Sequence, residues 1–149
     1  MGITDEGQVA PWSGNGNRMR DGARKCDLIR MTIAMNLLRA VPILTVANLR
    51  SATEAYRQVL GLDILMDHGW IVTLGSGHSA QFSLMERDET AVVNPVASFQ
   101  VNDVDQAFAT VMAGGFEIVH ELANEAWGVR RFFFRDADGN VINVLAHTG

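Results

Sequence analysis

The sequence predicts an α+β fold: two βαβββ modules in tandem whose strands form a curved mixed sheet around a cleft. One order of local patterns, strand, helix and three short strands, occurs twice after Leu38. The copies also align by offset. Val46, Asn48, Leu49 and Ala52 recur as Val101, Asp103, Val104 and Ala107 at a spacing of 55, and Gly61, Asp63 and Ile64 recur as Gly115, Glu117 and Ile118 at 54. One insertion or deletion in the helix accounts for the change. A single module is too small to bury both faces of its sheet, so two are expected to pair. Each sheet has one face under its own helix, and the remaining faces curve toward each other.

The elements follow in order. Val41–Val46 is a β-rich run, and Asn48 stands as the N-cap of a helix over Leu49–Leu60. Leu49, Ala52, Ala55, Tyr56, Val59 and Leu60 mark its apolar face, and Gly61 stops it. Three short strands follow, Leu62–Asp67, Trp70–Leu74 and Ser79–Glu86, separated by turns at His68-Gly69 and Gly75–His78. In the second copy, Val96–Val101 is a strand and Asp103 a cap. Val104, Ala107, Phe108 and Val111 mark a helix ending at Gly114-Gly115, and the last strands are Phe116–Leu122, Val129–Arg135 and Asn140–His147.

Residues 1–26 contain five Gly and little periodic apolar pattern, so they read as a mobile tail. Asp27–Leu38 is more apolar and suits a short helix or an added strand. Met19, Met31 and Met35 leave room for a later start of translation. The expected division is an N-terminal extension over 1–38 and a domain over 39–149, with modules at 39–90 and 94–149.

The net charge is −5, divided as +1 over residues 1–38 and −6 over the rest. An acidic chain without a Lys/Arg block repels phosphate backbones, which argues against nucleic acid. The acidic folded part would favour a cationic ligand. Cys26 is alone, which excludes an internal disulfide and a cysteine-based zinc site. No apolar run approaches the roughly 20 residues that span a bilayer. The polar, Gly-rich N-terminus does not read as a secretory signal, so the cytoplasm is the expected location.

Val46-Ala-Asn48-Leu49 through Ala55-Tyr56-Arg57-Gln58-Val59-Leu60-Gly61-Leu62 resembles the first-module signature of the vicinal-oxygen-chelate superfamily, which includes glyoxalases, bleomycin-resistance proteins and extradiol dioxygenases. Trp127-Gly128-Val129-Arg130-Arg131-Phe132 followed by Asp136-Ala137-Asp138-Gly139-Asn140 looks like its second-module ending. The resemblance covers about residues 39–147 and implies the paired-module fold. One departure is Ala137, where the family usually has Pro.

In metal-dependent members, four strand positions supply His, Glu or Gln, because divalent metals need converging nitrogen or oxygen donors. Carried onto this sequence, those positions are Val41, Ser83, Val96 and Asn143, two hydrocarbons and two weak neutral oxygens. A slip of one residue brings no better donors. No metal, cofactor or catalytic group is therefore expected. Strand alternation then turns Ile43, Thr45, Gln81, Met85, Ser98, Gln100, Val141 and Leu145 to the same face. Leu44, Val46, Phe82, Leu84, Phe99, Val101, Ile142 and Val144 make the opposite, wholly apolar face.

The expected ligand-binding residues are Thr45, Trp70, Gln81, Ser83, Ser98, Gln100, Trp127, Arg131 and Asn143. Trp70 and Trp127 either pack the strand starts or wall a planar or cationic ligand. Arg130 and Arg131, being adjacent, point to opposite faces, so at most one reaches the cleft. Asp136 and Asp138 belong to a turn, where carboxylates bind backbone amides. His68, His78 and His147 read as turn or terminal residues, and His120 beside Glu121 is the one second-choice ligand or base.

The resemblance is nearest to the bleomycin-resistance branch. It implies a metal-free homodimer that binds a small molecule, sequestering an antibiotic or related metabolite. The alternative is a glyoxalase-like lyase, isomerase or dioxygenase with a non-standard metal site at His120 and Glu121. A third reading is a structural module that contacts a larger assembly through its tail.

Overall fold

The computed structural model of the chain describes residues 35–77 and 79–149, of which 35–149 belong to one compact unit. The expectations for the tail over residues 1–34 and for His78 lie outside the described residues.

The order is β1 (Leu37–Thr45), α1 (Leu49–Leu60), β2 (Asp63–Asp67), β3 (Ile71–Ser76), β4 (Ala80–Met85), β5 (Ala97–Val101), α2 (Val104–Ala113), β6 (Glu117–Asn124), β7 (Val129–Arg135) and β8 (Val141–His147). The strands form one eight-stranded sheet, ordered β2-β3-β4-β1-β5-β8-β7-β6. The second half mirrors the first. β1 runs parallel to β4, and β5 runs parallel to β8. The modules join where β1 pairs antiparallel with β5, Val41 opposite Ser98.

Both helix caps form. The Ser51 N–H donates to Asn48 Oδ1 at 2.9 Å, and the Gln106 N–H donates to Asp103 Oδ1 at 3.0 Å. Gly61 ends α1 in the left-handed region at φ 64°, a conformation that costs glycine little. The buried stripe of α1 is shorter than the sequence suggests. Leu49 and Thr53 are buried and Ala52 and Tyr56 pack beside them, whereas Ala55, Val59 and Leu60 are exposed. The apolar period continues, but packing on the sheet is confined to the first two turns.

β3 is longer than expected, taking in Gly75 and Ser76, so the turn begins at Gly77. Gly75 sits mid-ladder because a side chain has no room there. A Cβ would stand 2.5 Å from Leu65 Cδ1 and 2.7 Å from the Ala80 carbonyl oxygen.

The helix-covered face holds two cores. Leu49, Val72, Leu74 and Leu84 pack together in the first module, with Tyr56 and Phe82 edge-to-face at 5.3 Å. Val101, Val104, Ala107, Phe132, Ile142 and Val144 pack in the second, with Phe108 on Phe132 at 5.1 Å. Leu44, assigned to this face, is 43% exposed. It lies on β1, while α1 covers β3 and β4 and α2 covers β6, β7 and β8. Among the described residues no helix is long and apolar enough to cross a membrane.

Candidate functional site

The other face of the sheet bounds a cleft of about 120 Å³. Its floor is apolar: Val41 and Ile43 from β1, Met85 from β4, Val129 from β7 and Leu145 from β8. These are alternate residues of their strands, as a period of two requires.

Six of the nine expected ligand-binding residues line the cleft: Trp70, Ser83, Ser98, Trp127, Arg131 and Asn143. The other three do not. Thr45 is exposed at the end of β1, and its Oγ1 accepts from Asn94 Nδ2 at 3.0 Å. Gln81 is engaged by its amide oxygen, which accepts from Arg39 Nη2. Gln100 lies opposite Arg39 of β1 and Leu145 of β8 and stays outside the lining. Two of the remaining positions expected to face the cleft also fail to reach it. Val96 is 49% exposed just ahead of β5, with Pro95 and Ser98 lining the cleft on either side, so alternation slips across Val96 and Ala97. Val141 packs instead with Ala91 and Phe133.

Neutral polar groups sit at the centre. Ser83 Oγ and Thr73 Oγ1 share a hydrogen bond of 2.7 Å. Asn143 Nδ2 donates to Ser98 Oγ at 2.8 Å, while Asn143 Oδ1 is buried without a partner. The four positions assigned to metal ligation do not suit a divalent cation. Val41 and Val96 have no donor atom, Val96 points elsewhere, and Ser83 and Asn143 offer only neutral oxygens. Among the described residues no group of three or more His, Cys, Asp or Glu side chains is arranged to hold a metal ion.

Trp70 and Trp127, one from each module, meet edge-to-face at 5.3 Å and wall the cleft. Behind Trp127 lies Arg131, 3% exposed, its guanidinium 4.9 Å from the Trp127 ring and 4.7 Å from that of Phe133. Arg131 Nε donates to Glu125 Oε1 at 2.8 Å and Nη2 to Thr90 Oγ1 at 2.7 Å. Nη2 also stands 3.0 Å from Asp88 Oδ2, inside ion-pair range but off the hydrogen-bond axis. Burial alone would raise the Asp88 carboxyl, but hydrogen bonds from the Thr90 side chain and backbone, with the Arg131 charge, hold it below the usual carboxylate range. Arg130 takes the opposite face and pairs with Asp105 of α2 at 2.8 Å.

His120 does not converge with Glu121. Its Nδ1 is 2.7 Å from the Glu121 carbonyl oxygen, its Nε2 is 3.2 Å from Glu125 Oε1, and its ring packs on Phe133 at 5.0 Å. Both ring nitrogens are thus engaged, and His120 is absent from the cleft lining. Asp136 closes its turn as expected, accepting from the Asp138 and Asn140 backbone at 3.0 and 2.8 Å.

Sequence reasoning missed Arg39, Met66 and Thr73 in the lining, and His68 and His147, exposed residues that nonetheless border the cleft. Arg39 was within reach of the alternation argument, being two residues from Val41, whereas alternation from Trp70 would have pointed to Val72 and Leu74 instead of Thr73. The acidic surplus of the folded part is not carried inward: among the described residues no Asp or Glu lines the cleft, whereas Arg39 and Arg131 do. The acidic surplus therefore gives no support for a cationic ligand in the cleft, since net charge fixes the sum and not its placement.

A family model described as glyoxalase-like domain matches residues 39–147. Among solved structures, the chain is similar to methylmalonyl-CoA epimerase from Mycobacterium tuberculosis at 24% identity, covering 76% of this chain and 90% of that one with a TM-score of 0.60. A glyoxalase/bleomycin resistance protein/dioxygenase superfamily member from Vibrio splendidus 12B01 matches at 19% identity over 74% of this chain and 99% of that one, with a TM-score of 0.54. An extradiol ring-cleaving dioxygenase from B. fuscum matches at 20% identity over 76% of this chain and 34% of that one, with a TM-score of 0.56. At these identities the likeness is one of fold. No curated protein matches the chain.

Proposed function

Since the chain belongs to the glyoxalase-like domain family, we propose that it binds a small organic molecule in its cleft without a metal ion. In this reading it acts as a cytoplasmic homodimer that sequesters an antibiotic or a related metabolite. The donor set at the four ligand positions carries the reading. Val41, Ser83, Val96 and Asn143 cannot supply the converging nitrogen and carboxylate donors that a divalent ion needs. The lining gives further support: an apolar floor, two tryptophans and a few neutral hydrogen-bonding groups resemble an orienting pocket for a planar molecule.

Two measurements test it on the full chain. Elemental analysis of purified protein is expected to find far less than one equivalent of divalent metal. Stoichiometric metal that disappears in His120→Ala would overturn the metal-free reading. A thermal-shift screen across antibiotics and aromatic metabolites is expected to yield stabilising ligands, about 2.7 kcal/mol at a hundredfold excess over Kd. Sequestration further requires that the bound compound be recovered chemically unchanged, and a sedimentation experiment is expected to give twice the chain mass.

A further inference from the structure

The two arginines of the cleft are not in equivalent surroundings. Arg131 is compensated twice, by Glu125 at 2.8 Å and Asp88 at 3.0 Å, and is held between two aromatic rings. Its charge is spent on the protein. Arg39 has no such compensation: among the described residues no carboxylate lies within ion-pair range, and the acceptor it is given is the neutral amide oxygen of Gln81. Its Nε is enclosed and has no acceptor among the described residues. A cationic side chain in a cleft lining without a carboxylate partner is met best by an oxyanion, which binds a guanidinium along two parallel N–H bonds.

A second unmet group belongs to a residue of the same lining, but its oxygen is enclosed by the protein. Asn143 is 5% exposed, its Nδ2 is used by Ser98, and its Oδ1 lacks a donor. The register separates the two. Arg39 lies opposite Gln100, and Asn143 lies opposite Ser98 one strand further on. Asn143 is thus two strands across, roughly 10 Å, and two residues along, roughly 7 Å, from Arg39. Apolar side chains, Val41 and Leu145 among them, line that part of the cleft and suit a planar apolar body.

From this we propose that the cleft takes an organic carboxylate with a planar apolar body. The carboxylate pairs with the terminal guanidinium nitrogens of Arg39. The proposal rests on the reading of the cleft as a binding site and names the class of molecule it admits.

Calorimetric titration of the full chain with indole-3-acetate and its neutral amide, indole-3-acetamide, tests it. Benzene and naphthalene acetate–acetamide pairs extend the comparison to other body sizes. Wild-type protein is expected to bind the carboxylates at least tenfold more tightly than the amides. Arg39→Gln should reduce that ratio to within about threefold, and Arg39→Lys, which keeps the charge, should retain a reduced preference. A melting curve of each unliganded variant verifies folding. If amides bind as tightly as carboxylates, or if the preference survives in Arg39→Gln, the carboxylate assignment falls while the binding site stands. If no pair binds and the broader screen also yields nothing, both fall.

Discussion

Asp88 is where a single residue does most to hold the cleft wall. It is 2% exposed and lies beyond β4 in the connection between modules. Its Oδ1 accepts from the Thr90 backbone at 2.9 Å and from Thr90 Oγ1 at 2.5 Å, and Thr90 in turn accepts from Arg131. The carboxyl therefore titrates below its ordinary value, burial opposing the shift and the Thr90 and Arg131 contacts prevailing. A depressed folded value means the stabilisation is complete above the unfolded value of roughly 3.9 and is lost as pH falls through the lower folded one. The stability of the wild type against urea is thus expected to fall below about pH 4. Asp88→Asn should be about 1–3 kcal/mol less stable at neutral pH, with a shallower acid loss. An unchanged acid slope would show that Asp88 is not the titrating group.

At the scale of elements, the two helices are capped alike yet supported differently. Asn48 caps α1, and the first helical N–H, that of Leu49, also donates to Glu86 Oε1 at 2.8 Å. In α2, Asp103 supplies the side-chain cap through the Gln106 N–H. Asp103→Ala is expected to cost about 1 kcal/mol. Asn48→Ala should cost less, because Glu86 at the end of β4 still covers one unsatisfied donor. Denaturant midpoints of the two variants give the comparison. The strands show the matching contrast between sequence and fold. β7 spans Val129–Arg135 as its alternation indicates, while β6 departs from simple pairing, with register shifts between Ile118 and His120 and between His120 and Ala123. Those shifts bring His120 toward Glu125, a partner that strand spacing alone does not reveal.

For the whole molecule, the pairing of β1 with β5 makes one sheet of two modules, so neither has an edge at the junction. Each core lies on its own side of that junction. Phe132→Ala is expected to cost about 3–5 kcal/mol and Leu84→Ala about 2–5 kcal/mol, since both side chains are fully buried. Both variants should shift one common transition in circular dichroism and tryptophan fluorescence, because the modules share a hydrogen-bonded seam. Two separated transitions would mean that the modules unfold independently.

What the sequence by itself determined was the repeat, the caps, the strand faces and the chemistry absent from the four ligand positions. The caps and strand faces depend on periods of two or 3.6 and on residues close together along the chain, the repeat on its offset of 54 to 55 residues, and the four positions on the resemblance to the superfamily. Ser83, Ser98 and Asn143 were legible in the cleft on those grounds, whereas adjacency left open which of Arg130 and Arg131 would reach it. Only the tertiary structure decided that Thr45 and Gln81 are spent on Asn94 and Arg39, that Val96 slips out of the alternation, and that Asp88, Thr90 and Glu125 gather on Arg131. It also decided the sign of charge within the cleft. Partners separated by some forty residues meet through sheet curvature and loop paths, and no local period encodes either.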